Sequence, residues 1–149
     1  MEVATFAEIE PEFLARIGKM VWCNVATVDR QGRPRSRILH PIWEGPVGWI
    51  ATNPQSHKAR HFTQNPYVSL AYIADVAKPV YVDGRVEWVD DRAEKTRVWE
   101  LIKTTPEPLG YDPAPIFEAP ASVKFGLLRL TPWRIEIYNF PAPNQIWRQ

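Results

Sequence analysis

Pro34-Arg35-Ser36-Arg37-Ile38-Leu39-His40-Pro41, Trp49-Ile50-Ala51-Thr52-Asn53-Pro54-Gln55-Ser56-His57-Lys58 and Asn65-Pro66-Tyr67-Val68-Ser69-Leu70 are three pieces of the stretch that decides how the chain is read. Side chains two apart on a strand share a face, so Arg35 and Arg37 point the same way, with Arg33 beside them. That face is cationic. The second piece predicts a strand ending at Thr52 and then a helix. Asn53 has the right chemistry for its N-cap, and Pro54 suits a first helical position, where no N–H is needed. The free amides and positive dipole end of such a helix attract an anion, and Thr52, Ser56, His57 and Lys58 add hydroxyls and cationic donors in its first turns. Two cationic elements around one short hairpin therefore suit a phosphate carrying about two negative charges. The same residues also fit solvated charges on an edge strand and an exposed helix, the commoner use of Lys and Arg.

Outward from this stretch the chain reads as short strands separated by turns. Thr5 and Glu8 have capping-box spacing, and a short helix is expected from Pro11 to Ile17, stopped by Gly18. Val21 to Val28 alternates, and Asp29-Arg30-Gln31-Gly32 turns it into a hairpin with Arg33 to Trp43. Val47 to Thr52, Tyr67 to Ile73 and Val80 to Val89 follow as strands, with a helix from Pro54 to Gln64 between the first two. Gly84 interrupts the last run and predicts a bulge or a close backbone approach. Asp90 or Asp91 caps a helix from Arg92 to Lys103, with Glu94 at capping-box spacing from Asp91. Thr104 to Pro120 is Pro-rich without a regular pattern, a length of loop that is usually functional. Phe125 to Thr131 and Arg134 to Tyr138 are the last strands, before a Pro-containing tail to Gln149. Many strands with few helices predict a mainly β chain in one domain, residues 1–149, built on a closed antiparallel sheet.

Composition narrows the function classes. At 149 residues, 45% hydrophobic and 23% charged, the chain has the balance of a folded domain with a real core. A net charge of +1 gives no strong field for nucleic acid or anionic membrane. Cys23 is the only cysteine, which excludes an internal disulfide and suits a buried position in the first strand. Neither a basic leader nor a membrane-length apolar run is present, from which a cytoplasmic location is expected. Seven Trp residues suggest aromatic surface for an interface or a ring-shaped ligand. His57 and His61 are four apart, but Lys58 stands where a zinc helix would carry Glu, so no metal is expected.

The ordered set of Arg37, then Ile50-Ala51-Thr52-Asn53 with Ser56 and Lys58, then Asn65-Pro66-Tyr67-Val68-Ser69-Leu70, resembles the pyridoxamine 5'-phosphate oxidase-like superfamily of FMN-binding split β-barrels. The resemblance runs from about Phe13 to Tyr138 and is densest between Pro34 and Tyr72. It implies a six- to seven-stranded antiparallel split barrel with a few short helices, paired as a homodimer with the cofactor in the groove between subunits. By the same resemblance Arg37 and Lys58 hold the FMN phosphate, with Arg35 a weaker match. Thr52 and Ser56 bond phosphate or ribityl oxygens, and His57 lies at that end. Backbone groups of Ile38, Leu39, His40 and Ala51 face the ring edge. Tyr138, Trp147 and Arg148 reach the cofactor from the second chain, although Pro141-Ala142-Pro143 departs from the relatives' sequence there.

Two departures bear on the substrate. Enzymes that oxidise pyridoxamine phosphate need a second anion site after the fifth strand, yet Thr104 to Pro120 holds no Lys or Arg and carries Glu107, Asp112 and Glu118. The Gln that relatives place at the start of that strand is replaced by Pro79. The expected function is an FMN-dependent oxidoreductase moving hydride or electrons between a reduced donor and a small organic acceptor or oxygen, and the sequence assigns no catalytic acid or base beyond the cofactor. One alternative is a reductase using the deazaflavin coenzyme F420, with Arg60 a possible extra cation. Another is a flavin-binding stress or sensor protein without turnover. A barrel that binds single-stranded nucleic acid is disfavoured by the near-zero net charge.

Overall fold

A computed structural model describes residues 1–149. The hairpin at its centre joins strand β2 (Cys23–Val28) to β3 (Pro34–Leu39). Its turn is fixed by Asp29, whose carboxylate accepts from the N–H groups of Gln31 and Arg33 at 2.9 Å each. Register sets Arg37 opposite Val25 and Arg35 opposite Thr27. Residues facing one another across a strand pair lie on one side of the sheet, so both arginines flank buried β2 side chains.

The single strand expected from Arg33 to Trp43 is two strands. Pro41 has no N–H for a ladder, and the chain breaks at His40-Pro41 before resuming as β4 (Ile42–Glu44), which pairs with β5 (Val47–Thr52) instead of β2. Strands β6 (Tyr67–Tyr72), β7 (Val80–Trp88) and β8 (Gly126–Ile137) continue the sheet from β2. The sheet runs β1-β9-β8-β7-β6-β2-β3, with β5 also pairing β8. Strands β1 (Glu2–Val3) and β9 (Gln145–Arg148) were not expected, and they pair in parallel. Nine strands therefore replace six or seven, and the hydrogen-bonded ring is open between β3 and β4.

Strand β8 also joins the two segments expected at 125–131 and 134–138. Pro132 sits inside it without breaking it, because the register shifts there and Pro132 lies opposite Gly84 at the bulge. A Cβ on Gly84 would come within 2.9 Å of the Thr131 carbonyl oxygen, so the close approach needs glycine.

Helix α1 (Glu10–Lys19) follows a 3-10 turn, Phe6–Glu8, and extends past Gly18. Helix α2 is His57–Gln64, α3 is Arg92–Thr104 and α4 is Ala114–Phe117. Asp91 caps α3, accepting from the Glu94 N–H at 2.8 Å. None of these helices is long and apolar enough to cross a membrane.

Side chains of α1 and of the strands β2, β3 and β5 through β9 meet in one core, including Phe13, Ile17, Val25, Leu70, Leu130 and Ile135. The sheet curls around them. A second core lies outside β5 and β8, where Trp49, Phe125 and Leu127 pack against Val98, Trp99 and Ile102 of α3. Strand β5 is thus buried on both faces: Ile50 points into the first core, and Trp49 into the second.

Candidate functional site

The site forms where β5 leaves the sheet. Asn53 and Pro54 do not start the helix. Asn53 Oδ1 instead accepts from the Gln55 N–H at 2.9 Å, and its carbonyl accepts from the Ser56 N–H at 3.1 Å, an Asx turn that uses the Asn side chain locally. The N-cap of α2 is Ser56, in extended backbone conformation, and its hydroxyl makes no capping bond. Thr52 Oγ1 and Ser56 Oγ are both shielded from solvent without a hydrogen-bond partner. An unsatisfied buried hydroxyl costs about 1–3 kcal/mol, so two of them at one helix entrance form a cradle for oxygens the chain does not supply.

Cationic groups stand on the first turns of α2 and on β3. Lys58 is half-buried on the first turn of α2, and its pKa lies below the ordinary lysine value, first through burial and then through the positive charge of Arg37. Neither Lys58 nor Arg37 makes an ion pair within the chain. The Arg37 guanidinium reaches only its neighbour's carbonyl, Ser36 O, at 3.1 Å. His61, one turn on, is held below the ordinary histidine value by burial and then by Arg37 and Arg35. Its Nδ1 lies 3.0 Å from Thr27 Oγ1. Arg35 is shared with Asp29 at 3.9 Å, although that carboxylate is tied more closely to Arg33 at 2.9 Å. The lowering of the Lys58 and His61 pKa values by arginine marks a like-charge repulsion that a bound anion would relieve.

The cluster opens into a groove of about 500 Å³ that begins at Lys58, Ala51 and Ile38 and extends to the Pro108–Phe117 segment. His40 lines it at the break between β3 and β4. Its ring is near those of Trp22 and Tyr111, with centroids 5.2 and 4.9 Å away and tilts of 59° and 36°, and Nε2 donates to the Leu109 carbonyl at 2.8 Å. Burial lowers the His40 pKa, an effect the Leu109 bond opposes. A cavity of about 510 Å³ on the β7–β8 side, lined by Tyr67, Arg85 and Trp133, shares no residue with the cluster.

Most of the sequence-predicted residues converge. Arg37 lies near enough to Lys58 to lower its pKa, Thr52 and Ser56 bracket the loop before α2, exposed His57 opens that helix, and Ile38, Leu39, His40, Ala51 and Lys58 line the groove. Three do not join them within this chain. Tyr138 and β9 lie beyond β8 in the sheet, whereas β3 is the far end of the same order. The Trp147 ring is buried in the core, edge-on to Phe6 at 5.6 Å, which leaves it no face for a ligand. Arg148 pairs with Glu2 at 3.2 Å, and the Tyr138 carbonyl accepts from Arg16 at 2.6 Å. Sequence reasoning missed Trp22 and Tyr111. The available signals were the surplus of Trp and an aromatic in the Pro-rich segment.

A family model described as pyridoxamine 5'-phosphate oxidase matches residues 9–138. The chain belongs to that family. The pyridoxine/pyridoxamine 5'-phosphate oxidase of Actinobacillus pleuropneumoniae serotype 5b is 37% identical over 81 residues, covering 53% of this chain and 38% of that protein. The chain thus matches well under half the length of that relative. Among solved structures, a nimc/nima family protein of Clostridium acetobutylicum superposes with a TM-score of 0.74 at 20% identity, covering 97% of this chain and 94% of that one. A pyridoxamine 5'-phosphate oxidase-related, FMN binding protein of Nostoc punctiforme PCC 73102 gives 0.68 at 18% identity, covering 95% and 88%. These likenesses establish the shared split-barrel fold.

Proposed function

We propose that the chain binds FMN as a homodimeric oxidoreductase, with the phosphate held by Arg37, Lys58, Thr52 and Ser56 and the ring lying along Ile38 to His40 and Ala51. The observation that carries this reading is the pair of buried, unpartnered hydroxyls beside a half-buried lysine with no counter-ion. Donor number, charge and shielding all suit a doubly charged oxyanion. When bound, the flavin supplies the hydride chemistry. The chain anchors the phosphate, excludes water from one side of the ring and presents the β3 backbone at its edge. Residues from a second copy complete the site from across the subunit seam, and Tyr67 and Trp133, both about half exposed, supply apolar surface for such a pairing. Trp147 is not among those contributions, since its ring is spent in the core.

The deazaflavin coenzyme F420 is the second reading. Arg35 on β3 and exposed Arg60 on α2 are further cations that a longer anionic tail would use. Reconstitution separates the two: the protein is incubated with each cofactor, desalted and examined by its visible spectrum. Retention of FMN at one per chain supports the first reading, and retention of the deazaflavin alone replaces it. In the same assay Lys58→Ala is expected to weaken FMN binding at least tenfold, since charge-assisted bonds of this kind carry about 1.5–3 kcal/mol each. Unchanged affinity in that variant counts against the site.

A further inference from the structure

His57 and His61 have the four-residue spacing of a metal helix, yet their surroundings differ: His57 is exposed, and His61 is half-buried. Helix α2 sets Ala59 and Phe62 into the core, and Lys58 and His61, three apart and so on one face, lie beside them. His61 Nδ1 is 3.0 Å from Thr27 Oγ1, and that hydroxyl donates in turn to the Arg35 carbonyl at 3.4 Å. With the Thr27 proton directed at Arg35, Nδ1 is the donor to Thr27, and the lone pair of the neutral ring falls on Nε2. No hydrogen bond within the chain uses Nε2. A proton arriving there makes an imidazolium that keeps the Nδ1 bond and gains a second donor.

The charges around the ring decide when that happens. Strand β3 turns Arg35 and Arg37 to the side of the sheet on which Thr27 lies, and β2 itself carries no charged residue. The carboxylate at the β2–β3 turn, Asp29, is tied to Arg33 and to two backbone amides. On α2 the neighbouring groups are His57, Lys58 and Arg60. Strand β7 also packs on α2, but its Asp83, Arg85 and Glu87 alternate with the buried Val82 and Val86 and so lie on its other face; its contact with the helix is through Trp88, whose indole N–H donates to Thr63 at 3.1 Å. Burial first, and then Arg37 and Arg35, hold the His61 ring neutral near pH 7. A doubly charged oxyanion at Lys58 and Arg37 reverses that balance, because it offsets the arginine charge that keeps the proton away.

We propose that His61 is a further anchor of the oxyanion site, taking a proton from solvent at Nε2 as a doubly charged phosphate or sulfate group enters, so that anion binding and proton uptake are coupled. Naming the natural anion as the FMN phosphate rests on the flavin reading above, while the coupling follows from the helix face and the arginines opposite it. The test titrates the His61 ring resonances, assigned by elimination with His40→Gln and His57→Gln, between about pH 5 and about pH 8.5. It is run on the protein alone, with saturating sulfate, which stays doubly charged throughout, with FMN and with riboflavin. Sulfate and FMN should each raise the His61 midpoint by about one pH unit, and riboflavin should leave it in place. Calorimetry of FMN binding at pH 7, in buffers of different ionisation enthalpy, should show uptake of about half a proton in the wild type and in His57→Gln and none in His61→Gln. The sign is distinctive, since the phosphate's own ionisation near pH 6 would release protons on binding. A His61 midpoint that FMN leaves unmoved while FMN binds overturns the proposal and keeps the flavin reading; proton uptake that persists in His61→Gln also overturns it. A midpoint raised by sulfate in a protein that takes up no FMN overturns the flavin reading and upholds the oxyanion site, and a midpoint that neither anion moves overturns the proposal outright.

Discussion

Thr52 is 2% exposed, and its hydroxyl has no partner within the chain, an arrangement that costs stability. Thr52→Val keeps the shape and removes the unsatisfied group. The thermal midpoint without cofactor is therefore expected to stay level or rise, while FMN affinity falls about tenfold. A midpoint that drops by several degrees would mean that the hydroxyl has a structural partner. His40 gives a pH signature at the same scale. Its folded pKa lies below the ordinary histidine value, so the unfolded chain takes up a proton as pH falls through about 6.5 where the folded chain does not. Stability consequently declines below that pH, and His61, shifted in the same direction, adds to the decline. Thermal melts between about pH 7.5 and about 5.5 should show a falling midpoint, with a shallower fall in His40→Gln; an identical slope in the variant would remove His40 from the effect.

Elements show where sequence patterns mislead and where they hold. Asn53-Pro54 has the composition of an N-cap and first helical residue, but the Asn side chain closes a local turn and moves the helix start to His57. That displacement makes Ser56 the N-cap, a position whose hydroxyl makes no capping bond here. The break at His40-Pro41 was marked by the proline itself, yet its consequence was not legible, because which strand β4 joins depends on partners distant in sequence. Alternation in β7 and the capping pair on α3 were legible because both are local. The entrance loop also depends on its opposite strand: a Cβ on Gly126 would come within 2.6 Å of the Thr52 carbonyl oxygen. Gly126→Ala is therefore expected to push the 52–56 loop outward, destabilise the fold by about 1–3 kcal/mol and weaken FMN binding in a titration. Wild-type affinity and midpoint in this variant would show that the loop has slack.

For the molecule as a whole, the split-barrel family was legible in the sequence because the residues that carry the resemblance are densest between Pro34 and Leu70. The tail was not. The resemblance makes Trp147 a cofactor contact from the second chain, but β9 pairs with β8 and turns the ring into the core against Phe6, a placement set by long-range pairing that no local pattern encodes. The groove wall was hidden for the same reason, since Trp22, His40 and Tyr111 come from three separate parts of the chain. The account's central claim is that affinity resides in the phosphate end, where Arg37, Lys58 and two orphaned hydroxyls converge. Isothermal titration with FMN and with riboflavin, which share the ring and ribityl chain and differ in the phosphate, tests it most directly. FMN is expected to bind at least a hundredfold more tightly, about 2.7 kcal/mol, and equal affinity for the two would contradict the account.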